Sequence, residues 1–380
     1  MLSSTADHLF WMARYTERAE NTARMLDVRI QYALMPQTAL GAEQGWRALL
    51  RISELEAAFN AKHAAVTQKD VIDFMVRDPD NPSSIANCLT EARENARAVR
   101  CTLTTEVWET LNTTWIELGQ HLTADLHERN PGMFFEWVKH RSHQSRGATL
   151  GTMLQDNAFN FIRLGTFLER ADNTARILDV KFLVANTFES GALPEFYYLA
   201  SLLSSVSALE VYRKVYHDVI TPARVAELLM VQANMPRSLV ACMAAVVTNL
   251  SEIRNDVSQD TERLAGKLHA ELQFSRIDEI LKQGLHGYLT HFLACVDELG
   301  NRISCDFLVP AESAELGIPY THVAAKFPEY LQETPGNEGK TDPIHQSSSF
   351  CLPLMAAKIH RNLASENTCV KGIPISAEYA

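Results

Sequence analysis

Glu17, Glu20, Asn21, Arg24 and Asp27 recur, in the same order and at the same spacing, as Glu169, Asp172, Asn173, Arg176 and Asp179. They belong to two copies of one dodecamer, ERAENTARMLDV from Glu17 and ERADNTARILDV from Glu169, which differ only at Glu20/Asp172 and Met25/Ile177. Carboxylates beside guanidiniums suit two kinds of chemistry. Arginine grips a carboxylate or phosphate through paired N–H donors, and a carboxylate with a shifted pKa moves a proton. The same groups also serve purely to hold two helices together.

At about 100° per residue, the five polar residues share a helical sector of roughly 120°, with Met12, Tyr15, Ala19 and Leu26 opposite. The second copy sets its polar sector against Leu164, Phe167, Ala171 and Leu178. Glu20–Arg24 and Asp172–Arg176 are acid-before-base pairs four apart, the favourable orientation on a helix. A solvated face has no need to repeat Glu, Arg, Asn, Arg and Asp while the rest of the chain drifts. The spacing reads first as a clamp, in which two long helices meet across a pseudo-twofold axis. Buried forks from Glu17, Arg18, Glu169 and Arg170 join one network, and Ala19, Ala23, Ala171 and Ala175 allow close approach. The alternative is a polar cleft whose Glu and Arg side chains hold a ligand.

The elements that position these residues are themselves repeated. TQKDVIDFMVRDPDNPSSIANCL from Thr67 aligns without a gap to TPARVAELLMVQANMPRSLVACM from Thr221, an offset of 154 residues against 152 for the dodecamer. Each copy has a long helix, an apolar helix near ALLRISELEAAF or ASLLSSVSALEVY, a short helix, and a helix whose first turn holds Pro82 or Pro236. No stretch alternates with period two. The fold class expected is all-α, an internally duplicated helical bundle of about a dozen helices with repeats over residues 1–155 and 156–308. Residues 309–380, punctuated by Pro310, Pro319, Pro328, Pro335, Pro343 and Pro353, read as an irregular Pro-rich extension with at most a short helix near Leu352 to Leu363.

Other constellations are weaker. Arg93, Arg97 and Arg100 form a stripe that suits an anion, although a solvated basic face explains it as simply. Lys139, His140, His143 and Arg146 gather positive charge that disfavours a metal, and no Glu-x-x-His pair suits a di-iron bundle. No P-loop, GxGxxG or GxSxG is present, so neither a cofactor nor a metal is expected.

The formal charge of −11 opposes nucleic-acid binding, and the longest apolar run, Ser238 to Val247, is too short to span a membrane. Seven scattered cysteines fit a reducing compartment, with Cys88 and Cys242 as small core residues. Asp7 and His8 interrupt any signal-peptide core, so a cytoplasmic location is expected.

The stretches LSSTADHLFWMARYTERAENTARMLDV, NPSSIANCLTEARENARAVRCTLTTEVWETLN and RGATLGTMLQDNAFNFIRLGTFLERADNTARILDV together resemble the alpha-E domain family of uncharacterised bacterial all-helical proteins. The resemblance places the ER motif at Glu17–Arg18 and Glu169–Arg170. It implies a protein encoded beside, or fused to, a circularly permuted ATP-grasp ligase and a transglutaminase-like protein, in systems that join or modify peptides. The function expected is a helical scaffold or binding partner there, acting on a ligase, a peptide or an anionic small molecule. The alternatives are a cofactor-independent enzyme using Glu and Arg on an anionic metabolite, and a purely structural oligomerisation module.

Overall fold

The ER dodecamers lie mid-way along two long helices, α1 (Ser3–Ala33) and α9 (Asn157–Ala185), in a computed structural model that describes residues 1–34, 39–185 and 193–308. After α1 come α2 (Ala39–Ile52), α3 (Glu56–Lys62), α4 (Gln68–Val76), α5 (Ile85–Ala98), α6 (Thr105–Thr123), α7 (Leu126–Arg129) and α8 (Pro131–Thr152). After α9 come α10 (Leu193–Ser205), α11 (Leu209–Tyr216), α12 (Pro222–Met230), α13 (Leu239–Glu252), α14 (Gln259–Phe274), α15 (Ile277–Gln283) and α16 (Leu285–Ile303). The described residues thus hold sixteen α-helices and no strand, more helices than the dozen expected because single-turn pieces such as α7 leave little periodicity. The Pro-rich segment from 309 and its expected short helix lie outside the described residues.

The order of helices is the same after α1 and after α9, and so are the neighbours. Helix α1 packs on α5 and α8 as α9 packs on α13 and α16; α5 meets α6 and α6 meets α8, as α13 meets α14 and α14 meets α16. Burial keeps the same register: Phe135, Val138, Ser142, Ser145 and Thr149 of α8 and Leu289, Phe292, Val296, Leu299 and Ile303 of α16 all face inward, each pair 154 apart. The two halves thus share an order of helices and a register of burial. Met1–Pro310 nonetheless form one unit, since α1 and α9 pack on each other along their length.

The helix starts differ from expectation. Pro82 and Pro236 precede α5 and α13, each second in a turn closed by Ser84 N–H to Asn81 C=O (2.9 Å) or Ser238 N–H to Met235 C=O (3.0 Å). Proline suits that position because its φ is already set. The caps are Ser84 and Ser238, whose hydroxyls accept from the N–H of Asn87 (3.3 Å) and Ala241 (3.2 Å). Thr67 and Thr221 cap α4 and α12 in the same repeated manner.

Ala19, Ala23, Ala171 and Ala175 are all fully buried, and so are Cys88 and Cys242. A further close approach of α1 to α9 is at Gly165. A Cβ on Gly165 would come within 2.3 Å of the Phe10 carbonyl oxygen and 3.3 Å of Ala13 Cβ. Ala13 is itself the residue that aligns with Gly165 in the first copy.

Candidate functional site

Helix α1 has no solvated face around its dodecamer: Glu17, Glu20 and Asn21 are as buried as the apolar residues opposite. The reason is a reciprocal clasp. Arg170 of α9 donates Nε and Nη2 to Glu17 (3.0 and 2.8 Å), and Arg18 of α1 donates Nε and Nη2 to Glu169 (2.6 and 2.9 Å). Each Glu-Arg pair therefore grips the other, two forks across one helix crossing. Arg14, one turn before Arg18, adds a third contact to Glu169 at 2.7 Å while its guanidinium lies 5.1 Å from the Trp11 ring centre.

The surroundings of the two forks differ. Glu17 also receives Arg237 (2.9 Å) and Arg146 (3.0 Å). Glu20, one turn on, receives Arg24 (2.8 Å), Arg237 (2.7 Å), the Ser142 hydroxyl (2.6 Å) and Arg146, with His143 Nε2 at 3.5 Å. Two carboxylates thus meet four guanidiniums, Arg24, Arg146, Arg170 and Arg237. Asn21 accepts from Arg237 at 2.8 Å.

Around Glu169 the balance is reversed. Asp172 pairs with Arg176 (2.9 Å), Arg176 also binds Glu54, and Asp297 stands nearby. At the offset of 154, Ser83 replaces Arg237, Asp297 replaces His143 and Gly300 replaces Arg146. Burial, and then the charge of Asp172, push the Asp297 carboxyl up to about 6. Burial alone would do the same to the fork glutamates. Instead Arg18 and Arg14 bring Glu169 down to about 2, Arg170 and Arg237 hold Glu17 below the ordinary range, and the guanidiniums led by Arg237 take Glu20 well below it.

The remaining members of the dodecamers lie at the ends. Asp27 pairs with Lys139 (2.8 Å) and Asp179 with His286 (2.7 Å). Asn173 shares with Asn21 a buried amide nitrogen that has no hydrogen-bond partner. The stripe of Arg93 and Arg97 on α5 and Arg100 just after it is not brought to the clasp. Arg93 and Arg97 bind Glu94, Arg93 also binds Asn112 (3.2 Å) and lies 4.7 Å from the Trp115 ring centre, and Arg100 lies 5.1 Å from that of Trp108.

The spacing of the dodecamer gave no sign of Arg14, Ser142, Arg146 or Arg237. Arg237 did carry a signal, since it stands opposite Ser83 between the matched Pro82/Pro236 and Ser84/Ser238. A cavity of about 10 Å³ lies among Met25, Arg29, Leu49, Ile177 and Lys181, room for a single water.

The family model of Alpha-E, "a predicted alpha-helical domain with a conserved ER motif", matches residues 1–308. The chain belongs to the Alpha-E family. It is 26% identical over 314 residues to the "Uncharacterized protein Mb2597" of Mycobacterium bovis and, to the same degree, to the "Uncharacterized protein Rv2567" of Mycobacterium tuberculosis. Each match takes in 75% of this Alpha-E chain but 34% of the relative, so the chain spans about a third of the length of these curated relatives. No solved structure matches this Alpha-E chain. None of its described helices is long and apolar enough to cross a membrane.

Proposed function

We propose that this Alpha-E chain is a non-catalytic helical partner in a peptide- or amide-ligation system, binding an ATP-grasp ligase, a transglutaminase-like protein or their peptide substrate. The observation that carries this reading is the length of the relatives, in which the matched region makes up 34% of a longer chain. The clasp agrees with it. Glu17, Glu20 and Glu169 are each held by two or more guanidiniums and well ionised, so none is poised to exchange a proton near neutral pH. The nature of the partner follows from the family resemblance. The purified chain is expected to turn over no ATP, to co-purify from native cells with an ATP-grasp ligase, and to change that ligase's rate of ADP release. ATP turnover by the chain alone, abolished by a point substitution within it, refutes the reading. So does a ligase indifferent to the chain.

A second reading rests on the surplus of positive charge at the first fork, which its counterpart does without. Arg146 and His143 form the exposed rim of that surplus, and Arg146 spends only one nitrogen on the two glutamates. This suits a carboxylate or phosphate group on a peptide or metabolite. Pyrophosphate is then expected to raise the Tm of the wild-type chain, and Arg146→Gln to remove that rise while leaving the fold intact. An equal rise in both proteins, or none in wild type, removes this reading.

A further inference from the structure

Among the described residues, three buried side-chain polar atoms without a hydrogen bond sit together: both ring nitrogens of His127, and Oδ1 of Asp73, which has an ion pair with Arg77. Buried polar atoms are nearly always paired, so a cluster of orphans asks for a missing partner. His127, on α7, is completely buried, with its ring centre 6.0 Å from that of Phe134. Its Nε2 lies 3.6 Å from Asp73 Oδ1 on α4. That is too long for a hydrogen bond. It does suit two ligands of one ion, because donors about 2.0–2.1 Å from a tetrahedral metal lie about 3.4 Å apart. Glu128 completes the group, and one donor atom from each of the three residues lies within 4.8 Å of the others.

The local charge leaves room for a cation. Asp73, Asp125 and Glu128 gather around Arg77, at 2.5, 3.2 and 3.1 Å, and the nearest further cation is Lys69, 3.9 Å from Glu128. Three carboxylates thus face two positive side chains. Arg77 meets Asp73 Oδ1 as an ion pair without a hydrogen bond, so an ion there would share that oxygen with the guanidinium. Packing does not call for an imidazole here. At the offset of 154, Leu281 stands where His127 stands and Lys282 where Glu128 stands, and the same helical framework forms.

We propose that Asp73, His127 and Glu128 form a site for a zinc-class divalent cation, with His127 Nε2 as nitrogen donor and a water as fourth ligand. One imidazole and two carboxylates with an open position is a zinc-type donor set, whereas magnesium and calcium take oxygen ligands alone. The ion ties the single turn of α7 to α4. No metal spacing shows in the sequence because Asp73 and His127 are 54 residues apart.

The test is titration of the chelator-treated full chain with ZnCl₂ by calorimetry, and with CoCl₂ by visible absorption. One ion per chain, a raised Tm and a tetrahedral cobalt spectrum are expected. His127→Leu, which installs the residue of the second copy, should abolish binding. If that variant fails to fold, Glu128→Gln decides, since its side chain is one-third exposed. Loss of a ligand should weaken binding by roughly tenfold or more, at least as much as loss of an outer-shell contact. A folded wild-type chain that gives no saturable zinc heat and no rise in Tm overturns the proposal, as does a folded Glu128→Gln or His127→Leu that binds zinc like wild type.

Discussion

Glu17→Gln and Glu169→Gln will each melt well below wild type at neutral pH. Glutamine keeps the shape of the side chain but withdraws its charge, so Glu17→Gln strips Arg170 of its fork and leaves Arg237 to share Glu20. Glu169→Gln removes the carboxylate that Arg14 and Arg18 both hold. Breaking one side of a buried pair costs about 3–5 kcal/mol because the partner is left charged and dry. In a chain of this size that lowers Tm by on the order of 10 °C. The two forks share no arginine, contrary to the single network that the sequence implied, so the double substitution should cost close to the sum of the singles.

Acid supplies a second readout of the same forks. Both glutamates titrate below their ordinary value of 4.5 in the folded chain, Glu169 at about 2. Their stabilisation is therefore complete above the ordinary carboxylate pKa and is lost as pH falls through the folded values. The Tm gap between wild type and Glu169→Gln should be widest at neutral pH and close between about pH 4.5 and 2. Melts that overlay at pH 7 would sink the clamp.

Gly165→Ala will also destabilise, although alanine is the better helix former by about 1 kcal/mol. Its Cβ would stand 2.3 Å from the Phe10 carbonyl oxygen. That neighbour is backbone two turns into α1, and it can retreat only if the helix moves and loosens both forks. Overpacking of a side-chain core costs about 1–3 kcal/mol, and a backbone obstacle belongs at or above the top of that range. Gly165→Val should leave little soluble protein. Gly266→Ala in α14 is the control, since nothing lies within 4 Å of its Cβ position, and it should hold or raise Tm. A Gly165→Ala protein with wild-type Tm would show that the crossing is looser than this.

How much of this was legible in the sequence depended on distance along the chain. The helical class, the order of elements and the pairing of ER helices followed from local periodicity and an unusually well-kept dodecamer. The Ser84 and Ser238 starts did not, because proline is equally at home in a helix's first turn and in the turn before it. Arg146 and Arg237 were hidden for another reason: Glu17 meets them across 129 and 220 residues, and no spacing rule reaches so far. The spacing of Arg93, Arg97 and Arg100 suits an anion or a solvated basic face. Periodicity on one helix says nothing of Trp108 and Trp115, which α6 brings beneath it.

The clasp sets a timetable for synthesis. Glu17 and Glu20 leave the ribosome long before Arg170 and Arg237, and until those arrive only Arg24, Ser142 and Arg146 of their described hydrogen-bond partners have been made. The clasp is complete only once most of the second half has been translated, and a ribosome that stops near residue 155 releases a chain whose α1 still lacks Arg170 and Arg237.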